Sequence, residues 1–128
     1  MKRRILIADD QRHVVRVMSQ ALERQGYQVE GVLNGELALQ RVREQHPDVL
    51  ITDIEMPRMT GEELCRQIQA EMPDREFLIF VITSRTELEH REWSSSIDNV
   101  MFLEKPVSIR KLISELERYF ESTASAVG

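Results

Sequence analysis

The chain holds a single cysteine, Cys65, so no disulfide can form within it. That excludes a secreted disulfide scaffold and fits a reducing compartment. No apolar run approaches the roughly 20 residues that span a bilayer. Met1-Lys2-Arg3-Arg4 has the charge of an export signal's start, but the apolar run behind it is only Ile5-Leu6-Ile7-Ala8. Two aspartates end that run, which is too short for export. His13, His46 and His90 are scattered, without metal-ligand spacing. An excess of positive charge is also missing. Lys and Arg number 17 against 22 Asp and Glu, a net charge of −5, which argues against a sequence-independent nucleic-acid binder. Internal repeats and low-complexity blocks are absent.

What remains is a chain of 128 residues, 41% hydrophobic and 30% charged, the balance of an ordinary globular domain and not of a disordered one. Its length is that of one domain, which can bury a core without a disulfide or metal staple. Short β-rich runs alternate with longer helical ones. Arg4–Ala8 ends in Asp9-Asp10, and Gln11–Gln25 carries Val14, Val15, Met18, Ala21 and Leu22 at helical spacing before Gly26. Gln28–Leu33 is a short run closed by the turn signal Asn34-Gly35. Glu36–Gln45 reads as a helix with Leu37, Ala38 and Val42 on one side. Val49-Leu50-Ile51-Thr52 reads as a strand covered on both faces, with Asp53 at its end. Ile54–Thr60 is loop, and Gly61–Met72 a helix with Leu64, Cys65 and Ile68 inward. Phe77–Ile82 is the most hydrophobic run, closed by Thr83-Ser84. Arg85–Ser96 is a weakly apolar helix whose only large apolar residues are Leu88 and Trp93. Val100–Leu103 leads to Glu104-Lys105-Pro106, and Ser108 caps a last helix carrying Ile109, Leu112, Ile113, Leu116 and Phe120. Ser122–Gly128 reads as a frayed tail.

Five strands alternating with five helices imply a doubly wound α/β domain with a parallel sheet. Such sheets bind ligands beyond the carboxyl ends of their strands. The residues leaving those ends are Asp9, Asp10, Asp53, Thr83, Ser84 and Lys105. Three converging carboxylates repel one another unless a cation neutralises them. Oxygen donors with no cysteine or histidine beside them suit Mg²⁺. Lys105 then supplies a point charge opposite the metal and Thr83 a hydroxyl donor, a set that stabilises three phosphoryl oxygens during in-line transfer. Asp53, alone at the end of a middle strand, is the candidate nucleophile, since a carboxylate can form an acyl phosphate.

With these pieces the sequence resembles the receiver domain of two-component response regulators. The resemblance runs over about residues 2–121 and rests on Ile5-Leu6-Ile7-Ala8-Asp9-Asp10, Asp53-Ile54-Glu55-Met56-Pro57 with Gly61, Val81-Ile82-Thr83-Ser84, and Leu103-Glu104-Lys105-Pro106. It implies a flavodoxin-like sheet of order 2-1-3-4-5 in a receiver domain over 1–121, with 122–128 as a tail or the start of a linker. It implies that Asp53 accepts a phosphoryl group from a phosphohistidine. Asp10 would bind Mg²⁺ directly, Asp9 through water, and Glu55 through its backbone carbonyl. Lys105 would contact the phosphoryl group, Thr83 would move toward it, and Phe102 would turn inward as the switch aromatic. Glu55 and Arg85 would set the lifetime of the phosphoaspartate. Met56, Pro57 and Gly61 would shape the loop, and Pro106 sits at the family's cis-proline position. The implied partners are a sensor histidine kinase or histidine phosphotransfer protein, and an output domain or protein at the fourth helix, fifth strand and fifth helix. A homodimer is also compatible, with no direct nucleic-acid binding and no membrane, in the cytoplasm.

The match bends in places. Where the family carries a Gly-Ala pair, this chain has Trp93-Ser94-Ser95-Ser96-Ile97-Asp98-Asn99, and Trp93 reads as a packing anchor. Phe102 lacks the commoner tyrosine's hydroxyl, and Val107 replaces an aromatic after Pro106. Arg12, Arg16 and Arg24 read as a solvated face, the alternative being a docking surface for an acidic partner. Two other functions compete: a receiver-like adaptor that is never phosphorylated, and an aspartyl-nucleophile phosphatase of the haloacid-dehalogenase type. The adaptor should lack Asp53 or Lys105, and the phosphatase needs a longer chain. A flavin binder would need phosphate-binding Ser, Thr or Gly where Asp9-Asp10 stand.

Overall fold

The computed structural model describes residues 2–84 and 92–127. Five strands, β1 (Arg4–Ala8), β2 (Gln28–Val32), β3 (Val49–Asp53), β4 (Leu78–Thr83) and β5 (Val100–Glu104), form one sheet. Their order is β2-β1-β3-β4-β5 and all pairings are parallel, the order the resemblance implied. Helices α1 (Arg12–Arg24), α2 (Gly35–Glu44) and α3 (Gly61–Glu71) follow the first three strands. Residues 92–94 are the described part of α4. Of the helix expected over Arg85–Ser96, residues 85–91, with Arg85, Leu88 and His90, lie outside the described residues. Helix α5 (Ile109–Val127) closes the chain and continues past Ser122, where a frayed tail was expected.

The central strands β3 and β4 are buried at every position, as their unbroken apolar runs require. Alternate residues feed two cores. Leu50, Ile79 and Val81 pack with Leu39, Leu64 and Ile68 on the α2–α3 side. Val49, Ile51 and Phe80 pack with Met18, Leu22, Leu112 and Leu116 on the α1–α5 side. One expected core position fails. Leu37 is 37% exposed, while Leu39 is buried. Leu37 sits in the first turn of α2, on the solvent side of the stripe that Ala38, Leu39 and Val42 turn inward.

The helix ends carry local signatures. Gly26 follows α1 at φ +95, a left-handed position that glycine occupies without steric cost. Asn34 caps α2, its Oδ1 accepting from Leu37 N–H at 2.9 Å, so the turn signal that closes β2 also opens the helix, one residue before the expected start. Thr60 and Glu63 form a reciprocal capping box at α3. Ser108 Oγ accepts from Lys111 N–H at 3.0 Å at the start of α5. Where the Gly-Ala pair is missing, Asn99 takes φ +58. Its side-chain amide donates to the carbonyls of Glu76 and Phe77 at 3.1 and 3.2 Å. Asparagine tolerates this conformation better than other side chains, so the connection into β5 keeps its shape.

Candidate phosphoacceptor and metal site

The strand register sets Ala8, Thr52 and Val81 side by side across β1, β3 and β4, with Phe102 beside Val81 on β5. The residues that follow must therefore emerge at one edge. Asp9, Asp10 and Asp53 each offer a carboxylate oxygen there, and these oxygens lie within 4.8 Å of one another. Asp9 and Asp53 are buried and Asp10 is exposed. Asp53 is held from two sides. Ile54 N–H donates to its Oδ1 at 2.8 Å, and Lys105 Nζ lies 3.1 Å from both Oδ1 and Oδ2. Lys105 is itself anchored, its backbone N–H donating to the Thr83 carbonyl at 2.8 Å. The peptide bond from Lys105 to Pro106 is cis.

Asp9 is fixed by Gln11 N–H, which donates to its Oδ1 at 2.9 Å. Gln11 is the N-cap residue of α1 but makes no side-chain cap, so Asp9 orders the loop between strand and helix and does not cap the helix. Burial pushes the Asp9 carboxyl above its ordinary range, and the nearby charges of Asp53 and Asp10 push the same way. The Gln11 N–H and Lys105 oppose that shift without cancelling it. Three carboxylates thus gather around one lysine at this edge.

A divalent cation fits this donor set. The donors are oxygens, no cysteine or histidine belongs to the cluster, and Asp10 at the exposed rim leaves room for water in the remaining positions. Glu55, expected to add its backbone carbonyl, is exposed beside Asp53. Thr83 is buried at the end of β4, and Phe102 lies partly buried against the α2–α3 core. Arg85 lies outside the described residues.

The loop after Asp53 closes tightly on it. Gly61 N–H donates to the Ile54 carbonyl at 2.7 Å, and a Cβ on Gly61 would stand 2.3 Å from the Asp53 carbonyl oxygen. Met56 is buried, and Arg58 takes φ +70 within the same loop. Two contacts escaped the sequence reading: the backbone donors of Gln11 and Ile54. The only trace of the first is an aspartate two residues before the N-cap of a helix, the pattern of an Asx turn. Trp93 is 4% exposed and packs edge-on against Phe102, the packing role expected of it.

Comparison with known proteins agrees with this geometry. Residues 5–117 match the family described as the response regulator receiver domain. The chain is 32% identical over 123 residues to the response regulator MprA of Mycobacterium ulcerans, covering 96% of this chain and 52% of that protein. MprA of Mycobacterium tuberculosis gives the same identity, with 53% of its length covered. The chain therefore spans about half the length of the curated relatives it matches. Among solved structures, the chemotaxis response regulator CheY4 of Vibrio cholerae superposes with a TM-score of 0.83 at 27% identity, over 92% of this chain and 98% of that one. A signal receiver domain of a histidine kinase from Syntrophus aciditrophicus gives 0.82 at 28% identity, over 94% and 91%. Among the described residues no helix is long and apolar enough to cross a membrane. Because the match takes in every strand end that reaches the acidic cluster and its lysine, the chain belongs to the response regulator receiver domains, the signalling switches of two-component systems.

Proposed function

We propose that Asp53 accepts a phosphoryl group from the phosphohistidine of a sensor histidine kinase or histidine phosphotransfer protein, and later loses it to water. The observation that supports this reading is Lys105 Nζ, equidistant at 3.1 Å from both oxygens of a buried carboxylate. Asp53 is buried while the Lys105 side chain stays 40% exposed; burying that carboxylate costs desolvation, which a purely structural strand end has no need to bear. One Asp53 oxygen attacks phosphorus, the P–N bond breaks, and the imidazole leaves with its electron pair. Ile54 N–H orients the attacking carboxylate, and Lys105 shifts from Asp53 to the arriving phosphoryl oxygens. Thr83 donates its hydroxyl to the same oxygens. Asp9, Asp10 and Asp53, with the Glu55 carbonyl, are the residues that would hold Mg²⁺, which when bound neutralises charge on both carboxylates and phosphoryl oxygens.

Hydrolysis is the second step. Water reaching the phosphoaspartate passes Glu55 and Arg85, which set its lifetime. Movement of Thr83 draws Phe102 inward and changes the face made by α4, β5 and α5, through which an output domain or partner reads the state. The receiver unit occupies 1–121, with 122–128 as a tail or the start of a linker, and the setting is the cytoplasm.

The test is intact mass after incubation with acetyl phosphate, with and without Mg²⁺, for the native chain and Asp53→Asn. A single Mg²⁺-dependent phosphoryl adduct, absent from the variant, is expected. A folded chain that gains no adduct from acetyl phosphate or from a phosphohistidine donor overturns the reading and leaves the adaptor function.

A further inference from the structure

Trp93 and Phe102 meet edge to face, with ring centroids 5.6 Å apart and planes at 79°. Trp93 is the chain's only tryptophan. It lies in α4, is almost fully buried, and belongs to the core that contains Val81 and Ile97. Phe102 packs against that same core, and its register partner across the sheet is Val81, on the strand that ends in Thr83. A run of packed groups therefore leads from the strand of Thr83 through Phe102 to an indole on α4.

Two facts give this contact a direction. Position 102 carries phenylalanine, so no phenolic hydrogen bond can anchor the ring and packing decides where it sits. An edge-to-face aromatic pair contributes beyond the area it buries. The contact also belongs to the unmodified state, in which Lys105 is paired with the Asp53 carboxylate itself. A contact made in that state and lost when the ring turns toward Thr83 must oppose phosphorylation, because the two equilibria are linked.

We propose that Trp93 is a positioning residue that holds Phe102 in the place it takes while Asp53 is unmodified, and so acts as a brake on the phosphorylation of Asp53. The proposal rests on the phosphoacceptor reading above and adds a specific restraint to it. The single indole is also its own reporter, since a ring that leaves its edge changes its surroundings.

The experiment follows adduct formation by intact mass and Trp93 fluorescence together, on the same sample with acetyl phosphate and Mg²⁺. The native chain should change its emission in step with the adduct, and Asp53→Asn should show neither. Trp93→Leu, which removes the aromatic pair, should form adduct about 2- to 10-fold faster, the factor such a pair is worth. Trp93→Phe, which keeps an aromatic edge, should stay within about twofold of the native rate. A merely structural indole would lower the melting temperature of Trp93→Leu without speeding its phosphorylation. An adduct formed with unchanged emission, or a folded Trp93→Leu no faster than native, overturns the brake alone. No adduct in the native chain overturns the phosphoacceptor reading and the brake with it. An adduct formed with unchanged emission in the native chain overturns the brake even where Trp93→Leu does not fold.

Discussion

Gly61→Ala isolates the part of the site that depends on backbone shape. The added Cβ would lie 2.3 Å from the Asp53 carbonyl oxygen, 2.9 Å from Ile54 Cα and 3.1 Å from the Asp53 carbonyl carbon. All three are backbone atoms at the end of β3, so no flexible side chain can give way. Ordinary contact starts at 3.4 Å, so α3 and the strand end must part by about 1 Å. Forcing a carbon into a packed site costs about 1–3 kcal/mol. Alanine in place of glycine near the start of a helix returns at most about 1 kcal/mol. The net loss of about 1–2 kcal/mol should lower the melting temperature by about 4–8 °C in a domain of this size. The functional loss should be larger in proportion, because a 1 Å misplacement of a reacting group can cost about 100-fold in rate. The assay is the initial rate of adduct formation from acetyl phosphate with excess Mg²⁺, read beside a thermal melt. Gly26→Ala is the control. Its φ is +95 and a Cβ there meets nothing within 4 Å, so it should lose about 1–2 kcal/mol by backbone strain alone. It lies before β2, at the far end of the sheet from Asp53, and should phosphorylate at the native rate. Gly61→Ala with native rate and native melting temperature, or a Gly26→Ala slowed as much, would refute the reasoning.

Two further expectations concern groups away from the site. Arg43 Nε donates to Glu71 Oε1 at 2.7 Å, and this pairing, with Gln67, holds the Glu71 carboxyl down at about 2, from an ordinary 4.5. A folded-state value below the unfolded one adds stability above pH 4.5 that is lost as pH falls toward 2. Melting curves of the native chain and Arg43→Ala should therefore differ at neutral pH and converge in acid, by a small amount because the pair is solvent-screened. A gap that widens in acid contradicts the assignment. Burial pushes the Cys65 thiol up to about 12, so it should resist iodoacetamide at pH 8 in the folded chain and react once denatured. Rapid native labelling would mean that the α3 face opens.

The sequence made the strand ends at the site legible because the apolar runs of β1, β3, β4 and β5 each stop at a charged or hydroxyl residue. Asp9, Asp53, Thr83 and Lys105 can be found by asking only where hydrophobicity ends, and the structure brings Asp9, Asp10, Asp53 and Lys105 to one edge. Composition could not give the strand order, which came from resemblance to a family. Helix termini were harder to read where one residue serves two signals. Asn34-Gly35 reads as a turn signal, yet Asn34 is the N-cap of α2 and Gly35 its first residue. Leu37 reads as inward because it is apolar, yet the buried stripe is set by Ala38, Leu39 and Val42. The end of α5 was unreadable for the opposite reason. Its last residues are small and polar and carry no periodicity, and the helix is carried on by hydrogen bonds that leave no pattern in the sequence.

The contacts that no one-dimensional pattern reveals are those that tie the site to the rest of the molecule. Gln11 and Ile54 act through backbone N–H groups, which any residue but proline would supply, so their identity carries no signal. The pairing of Trp93 with Phe102 links two residues on different elements, and their meeting depends on how far α4 leans over β5. What the sequence does carry is the cost of that arrangement. A tryptophan stands in an otherwise polar stretch, and a phenylalanine without a hydroxyl lies nine positions on. Each is unremarked alone, but a large ring in a weak helix needs a partner to justify its burial. Here that partner is Phe102. The acidic pocket is thus specified residue by residue along the chain. The brake proposed for that pocket is a pair of side chains that only the fold brings together.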